Sequence, residues 1–311
     1  MSSIFLTGGT GFLGSHLADA LVEAGHDVTA SVRRTSDTRR IDRLGLEKVE
    51  LDLAGGAAGL GGHDVVVHCG ALTRARNEAE FMAVNATGTE RLARAAADAG
   101  VRRFVFISSL AARGPDGAGG PVSPYGRSKA AAEEALASVG GPMDIVVLRP
   151  GGVYGPRDSD LLPLFRLAAR GWAVIPRGAN PVQPVHVSDV VSAVIASLTA
   201  PAPEPLPIAG AASSSWEEVA NALIAAAERP GRALRVPPAV FLTAGLLSEF
   251  ISRWTGKAPA MDRRRARDLS LHAWTCDIGP SRRHLDPWRP RVAIEAGMAQ
   301  TAAWYRREGW V

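Results

Sequence analysis

Thr7-Gly8-Gly9-Thr10-Gly11-Phe12-Leu13-Gly14 directly follows the short apolar run Ser3–Thr7 and opens an Ala/Leu-rich stretch, Phe12–Ala24. The run reads as a strand and the stretch as a helix, with Gly8, Gly11 and Gly14 at GxxGxxG spacing in the turn between them. Side chains here would block the tight turn, the approach of backbone to a pyrophosphate and the packing of helix on strand. A helix beginning at Phe12 and Leu13 offers free N–H groups and the positive end of its dipole to phosphates. Glycine triplets also occur in ordinary turns, and it is the order strand, glycine turn, helix that assigns this one to a dinucleotide site.

The same alternation continues beyond the loop. Asp27–Val32, Lys48–Leu51, Asp64–Cys69, Arg103–Ser108 and Asp144–Leu148 read as further strands, with helices expected over Glu78–Ala99 and Pro124–Ser138. Strand–helix–strand units of this kind cross over right-handed and build an α/β fold, a doubly wound parallel sheet of Rossmann type. After Pro150 the pattern loosens into short elements punctuated by proline, except that Val185-His186-Val187 and the helical stretch Ser188–Thr199 return to the sheet. The expected division is a dinucleotide-binding domain over 1–153 plus about 184–200, and a smaller C-terminal substrate-binding lobe over 154–183 and 201–311.

Composition narrows the class. The 311 residues are 46% hydrophobic, enough for a sizeable core, and carry 35 Lys and Arg against 31 Asp and Glu. Opposite charges are interspersed, apart from Arg33-Arg34 with Arg39-Arg40 and a late run, Arg263-Arg264-Arg265 with Arg267. No nucleic-acid module accompanies either run, so no nucleic-acid partner is expected and the late run reads as a solvated face. Cys69 and Cys276 are isolated, with neither metal-ligand nor disulfide-framework spacing; a reducing cytoplasm and no metal are expected. The start of the chain has no secretory pattern, and no apolar run reaches the length of a membrane span.

Cofactor choice is read where the second strand ends, as Ser31-Val32-Arg33-Arg34. No carboxylate stands there for a ribose 2′-hydroxyl, whereas a guanidinium matches a 2′-phosphate in charge and bidentate geometry. NADP(H) is therefore favoured over NAD(H), the other reading being arginines that solvate a strand end. After the third strand, Asp52 could meet the adenine amino group or cap the following turn, with Leu53 beside it.

Tyr125 and Lys129 are four residues apart on a predicted helix and so share one face. A free phenol, with pKa of about 10, is a poor acid–base catalyst at neutral pH. A neighbouring ammonium favours the phenolate, most strongly in a desolvated cleft. Ser108-Ser109 closes the fifth strand at the sheet edge where ligands bind, and a hydroxyl there could orient a reacting oxygen. In isolation Tyr-x-x-x-Lys is a common surface pair; behind a glycine-rich loop and a serine pair it reads as acid–base chemistry.

Taken together, Thr7–Gly14, Val66-Val67-His68-Cys69-Gly70-Ala71, Val84-Asn85-Ala86-Thr87-Gly88-Thr89, Phe106–Ser109, Pro124–Lys129, Arg149–Pro156 and Val185–Val190 resemble the extended short-chain dehydrogenase/reductase family over essentially the whole chain. The resemblance implies that Ser109 rather than Ser108 is the catalytic serine, with Ser108 beside the cofactor. It makes Tyr125 the proton donor or acceptor, and Lys129 a further ligand of the nicotinamide ribose. It also places Cys69, Gly70 and Ala71 along the cofactor, Asn85 near it, and Pro150, Gly151 and Val153 by the nicotinamide, with Gly152 toward substrate. His186 and Asp189 match a segment that links the lobes. A homodimer through the helices around 78–99 and 124–138 follows from the same resemblance.

Within that family the nearest look is to the dihydroflavonol-reductase and 3β-hydroxysteroid-dehydrogenase branch. Sugar-nucleotide members often carry asparagine where this chain has Gly152, and arginine where it has Val182. Leu72, Leu110, Leu161 and Phe165 are expected to line the substrate side, with Leu162 and Trp172 near them and an apolar stretch, Pro238 through Ile251, either over the entrance or packed as core. One feature points the other way: Arg265-Ala-Arg267-Asp268 resembles a nucleotide-contacting segment of sugar enzymes. The expected activity is hydride transfer between NADP(H) and a carbonyl or alcohol carbon of an apolar small molecule. The alternatives are an NDP-sugar epimerase or dehydratase, and a catalytically inactive NADP-sensing regulator.

Overall fold

The computed structural model describes residues 1–55, 59–115, 119–178, 180–240, 243, 246 and 272–311. Strands β1 (Ser3–Thr7), β2 (Asp27–Val32), β3 (Glu47–Glu50), β4 (Val65–His68), β5 (Arg103–Ile107) and β6 (Asp144–Pro150) follow the expected order to within a residue or two at most ends. With a later strand, Leu206–Ile208, they form a parallel seven-stranded sheet in the order Leu206–Ile208, β6, β5, β4, β1, β2, β3. The order reverses beside β1 and β4, and the crevice beyond their carboxyl ends is the ligand position of such sheets.

Side-chain alternation along the strands feeds two cores. Ile4, Leu6, Val65, Val67, Val105 and Ile107 pack on one face with Leu17 and Leu21 of helix α1 (Phe12–Glu23). Phe5, Val66, Phe104 and Phe106 pack on the other. A strand covered on both faces must be apolar at every position, which is why these strands read as unbroken hydrophobic runs. The second core continues into Leu92 and Leu136.

Between β2 and β3 lies a short helix, α2 (Arg39–Asp42). The helical stretch expected over 78–99 is divided. Helix α3 (Glu78–Phe81) passes into a π-helical turn, Met82–Thr87, before α4 (Gly88–Asp98) resumes. Helix α5 (Pro124–Ala137) begins where proline predicts, with Ser123 capping the Gly126 N–H at 3.0 Å.

The smaller lobe begins at strand β7 (Val153–Tyr154) and helix α6 (Leu162–Ala168), followed by β8 (Trp172–Pro176). Strand β9 (Val185–His186) pairs parallel with β7 and leads into α7 (Val187–Ser197), which packs on α1. Leu206–Ile208 is β10, beside β6, so the sheet takes in a segment that proline punctuation assigned to the lobe. Three residues bearing a proline at a sheet edge give little strand signal. Helix α8 (Trp216–Ala226), strand β11 (Arg232–Val236) paired with β8, and the helix Ile294–Arg307 complete the lobe around Tyr154, Phe165 and Tyr305. Leu285 and Trp288 return to the sheet core. The buried Asp189 carboxylate fixes that return, accepting the Arg291 and Val292 N–H groups at 3.0 and 3.1 Å. Most of the apolar stretch 238–251, and the arginine-rich segment 263–268, lie outside the described residues.

Candidate active site

The glycine loop is built by contact. A β-carbon on Gly8 would stand 2.7 Å from the Gly70 nitrogen, so the turns after β1 and β4 touch through backbone alone. One on Gly14 would stand 2.0 Å from the Gly8 carbonyl oxygen, which is the helix-on-strand approach that the spacing predicted. Helix α1 starts at Gly11 with no side-chain cap and no acidic residue in its first turn. Its N–H groups and dipole are thus available to an anion. A crevice of about 280 Å³ opens there, lined by Thr10, Gly11, Phe12, Asp37, Arg40, Arg157 and Ser159. Glycine turn, uncapped helix and basic lining fit a dinucleotide pyrophosphate.

Behind the loop lies a buried polar chain. Thr89 donates to the Asn85 carbonyl at 2.6 Å, so its oxygen accepts from His68 Nε2 at 2.9 Å. His68 Nδ1 then accepts from Thr7 at 2.6 Å, and the Thr7 oxygen accepts the Gly70 N–H at 3.0 Å. The network therefore assigns the neutral Nε2–H tautomer. Burial, then the charge of Lys129, pushes His68 down to about 3. His68, Thr7 and Thr89 were not singled out from sequence as individual site residues, although their segments were; a histidine at the end of an apolar strand was the available signal.

Asn85, fully buried in the π-helical turn, holds the loop after β4. Its Oδ1 accepts the Leu72 N–H at 2.8 Å, while Nδ2 donates to the Leu72 carbonyl at 2.9 Å and to Ser128 at 3.0 Å. The loop Cys69-Gly70-Ala71-Leu72 is thereby tied to α5. Burial raises the Cys69 thiol to about 11, so it stays protonated at neutral pH.

Lys129 is 2% exposed, its ammonium 4.1 Å from the centre of the Phe106 ring and 2.7 Å from the Ile107 carbonyl oxygen to which it donates. Burial lowers it to about 8. Tyr125, one turn earlier and half-buried, meets the Phe81 ring edge-on at 6.0 Å. Ser109 follows β5 and caps the short turn Leu110–Ala112, accepting the Ala111 N–H at 3.1 Å. Ser108 differs: its hydroxyl donates to the Glu133 carboxylate, which also binds Arg149 of β6. Gly126 allows the close approach of α5 to this turn, since a β-carbon there would lie 2.4 Å from the Ala111 carbonyl oxygen. Glu133 and Gly126 were not named from sequence, although Glu133 continues the stripe of Tyr125 and Lys129 by one more turn.

The other predicted positions fall as follows. Arg33 and Arg34 are exposed at the end of β2. Asp52 caps its own turn, accepting the Ala54 N–H at 3.0 Å, and Leu53 fits between Gly70 and Gly88. Pro150 ends β6, and the Gly151 N–H donates to the Ile208 carbonyl at 2.8 Å. Gly152 faces open space, and Val153 is half-buried against the sheet core. Leu110 is buried with a methyl group close to Gly151, and Leu72 is half-buried in the loop after β4. Leu161 and Phe165 are placed elsewhere: Phe165 is 3% exposed in the lobe core, edge-on to Tyr305 at 4.9 Å, with Leu161 packed against that cluster. Leu162 joins the same cluster, whereas Trp172 is largely exposed. Among the described residues, no group of His, Cys, Asp and Glu is arranged to hold a metal ion, and no helix is long and apolar enough to cross a membrane.

A parallel Rossmann sheet carrying this loop and helix defines a nucleotide-dependent enzyme class. Residues 4–209 match the model of the NAD dependent epimerase/dehydratase family, and the chain belongs to that family. It is 32% identical over 316 residues to a ceramide reductase of Caulobacter vibrioides, spanning 99% of this chain and 96% of the relative. It is 28% identical to a UDP-glucose 4-epimerase of Vibrio cholerae, spanning 96% and 94%. The fold is shared with a solved UDP-glucose 4-epimerase of Thermotoga maritima at a TM-score of 0.79 and 22% identity, covering 98% of this chain and 99% of that one. The chain is thus an oxidoreductase-type enzyme of the epimerase, dehydratase and reductase family.

Proposed function

We propose that the chain is an NADP(H)-dependent reductase or dehydrogenase that interconverts a ketone or aldehyde and an alcohol on an apolar small molecule. Ser109, Tyr125 and Lys129 form its acid–base set. The observation that carries this reading is the buried Lys129 ammonium, one helical turn from Tyr125 at the carboxyl end of β5. A cation kept that far from water costs free energy that a structural lysine would avoid.

The nicotinamide, when bound, supplies or takes up the hydride at the reacting carbon. In reduction, the Tyr125 phenol gives its proton to the carbonyl oxygen, and the Ser109 hydroxyl donates a hydrogen bond that holds that oxygen in place. The Lys129 charge stabilises the phenolate that Tyr125 leaves behind. Oxidation runs through the same groups in reverse.

Arg33 and Arg34, exposed at the end of β2 in the run Ser31-Val32-Arg33-Arg34, which holds no carboxylate, support the 2′-phosphate form of the cofactor. The ceramide reductase relative supports reduction of an apolar substrate. We further propose a homodimer through the α3–α4 and α5 helices and a cytoplasmic location.

The UDP-glucose 4-epimerase relative supports a second reading, an NDP-sugar epimerase or dehydratase. Against it stands the open space at Gly152, where the sugar enzymes often present a polar side chain. Assaying the purified protein with NADPH across a carbonyl panel, and with UDP-glucose, separates them. Substrate-dependent NADPH oxidation supports the reductase; turnover of UDP-glucose alone rejects it.

A further inference from the structure

The Glu133 carboxylate is the junction of three elements that carry the site. It projects from α5 two turns beyond Tyr125 and one beyond Lys129, so the three lie along one stripe of the helix. It accepts the Ser108 hydroxyl at the end of β5 and binds Arg149 in β6, whose Nε stands 3.0 and 3.1 Å from its two oxygens. Ser108 precedes Ser109, and Arg149 precedes Pro150. The Glu133 and Arg149 side chains are only 10% and 18% exposed. Strand pairing alone aligns β5 with β6 but leaves the roll of α5 against their ends unspecified. A side chain that binds both strand ends fixes it.

We propose that Glu133 is a positioning residue of this enzyme: its carboxylate locks α5 to the ends of β5 and β6, setting Lys129 and Tyr125 against Ser109. The inference rests on the acid–base reading of Ser109, Tyr125 and Lys129 above. It has an electrostatic consequence as well as a steric one. The titratable groups whose charges act on Lys129 are Cys69, just after β4, and Glu133 on its own helix, while Lys129 acts in turn on His68. His68 is neutral and the Cys69 thiol is held protonated by burial. With both of these neutral, the Glu133 carboxylate, held by Arg149, acts against the desolvation of the ammonium.

Burial lowers Lys129, and the Glu133 charge acts in the opposite direction. Removing that charge lowers Lys129 further, so the ammonium is lost at a lower pH and the alkaline limb of the rate profile moves down.

The test is NADPH-dependent reduction of phenanthrenequinone, a bulky apolar diketone, followed as kcat against pH. Glu133→Gln, which keeps a side chain of the same shape, is compared with Glu133→Asp and with the double variant Glu133→Gln/Arg149→Met. In the double variant no buried guanidinium is left uncompensated, so folding is preserved even if Glu133→Gln alone is unstable. The expected result is a loss in kcat of about tenfold for Glu133→Gln with NADPH KM unchanged. Its alkaline limb is expected at lower pH, the double variant to share that limb, and Glu133→Asp to restore it.

A wild-type kcat and limb in Glu133→Gln overturns the proposal. So does a double variant that regains both, since the carboxylate would then serve stability alone. Tyr125→Phe measured alongside separates this from failure of the underlying reading. If Tyr125→Phe turns over normally, the acid–base set itself is wrong and the inference falls with it. If Tyr125→Phe is inactive while Glu133→Gln is unchanged, only the role of Glu133 is lost.

Discussion

Gly126 meets the Ala111 carbonyl oxygen so closely that a β-carbon on it would lie 2.4 Å away. The residue after Tyr125 thus lets α5 press against the turn that follows Ser109. Gly126→Ala must push helix and turn apart, and overpacking of this kind costs about 1–3 kcal/mol. Thermal denaturation should show a lowered Tm, and kcat should fall further than NADPH affinity because the displaced groups are Ser109 and Tyr125.

Asn85 occupies both polar backbone atoms of Leu72 and the Ser128 hydroxyl. Asn85→Ala leaves both Leu72 backbone groups without this partner, at about 1–3 kcal/mol each where water cannot replace it, while Ser128 keeps its bond to the Tyr125 carbonyl. Urea unfolding should register a loss of that order, and NADPH binding should weaken because the loop Cys69–Leu72 is no longer tied to α5. An unchanged midpoint would show that Asn85 does not organise the loop.

His68 and His16 are held down to about 3 and about 4, chiefly by burial. In the unfolded chain a histidine titrates near 6.5. Below that pH the unfolded state gains protons that the native state refuses, so stability falls as pH drops from about 6.5 toward 4. Above it both states are neutral and the term is constant. Each histidine contributes a slope approaching 1.4 kcal/mol per pH unit. Unfolding free energies at neutral pH and at about pH 5 should differ accordingly, and His68→Gln should reduce the difference.

Cofactor preference is tested at Arg33 and Arg34. If they grip a 2′-phosphate, replacing both with alanine costs about 1.5–3 kcal/mol of NADPH binding, or roughly 10- to 150-fold in Kd. NADH binding should stay within a factor of about two, since that contact is absent. Fluorescence titration with both cofactors reads this, and an equal loss for the two would remove the 2′-phosphate contact.

How much of this was legible depends on where the determining forces are local. The turn Thr7–Gly14 declared itself because glycine is required by contacts within one strand–helix unit. The strands were legible because β1, β4 and β5 are covered on both faces. Helix α5 was bounded by its own cap and proline. The π-helical turn at Asn85 was not legible, because nothing in its sequence separates it from the helix around it; its partners Leu72 and Ser128 come from other elements. Strand β10 was hidden in three residues bearing a proline. Apolar spacing also cannot distinguish a cleft from a core. Phe165 and Leu161 were expected toward substrate, and the fold places them around Tyr305 because α6 packs there. The junction at Glu133 was half visible, as a further step on the Tyr125–Lys129 stripe, but its partners Ser108 and Arg149 required the sheet.

The central claim is that Tyr125 moves the proton that accompanies hydride transfer. It is tested most directly by single-turnover oxidation of NADPH with a carbonyl substrate, comparing wild type with Tyr125→Phe. The phenylalanine ring keeps the packing against Phe81 and removes only the hydroxyl. The expected result is unchanged NADPH binding and a hydride-transfer rate lowered by about 10²–10⁴-fold. Transfer in Tyr125→Phe within a few-fold of wild type would contradict the account.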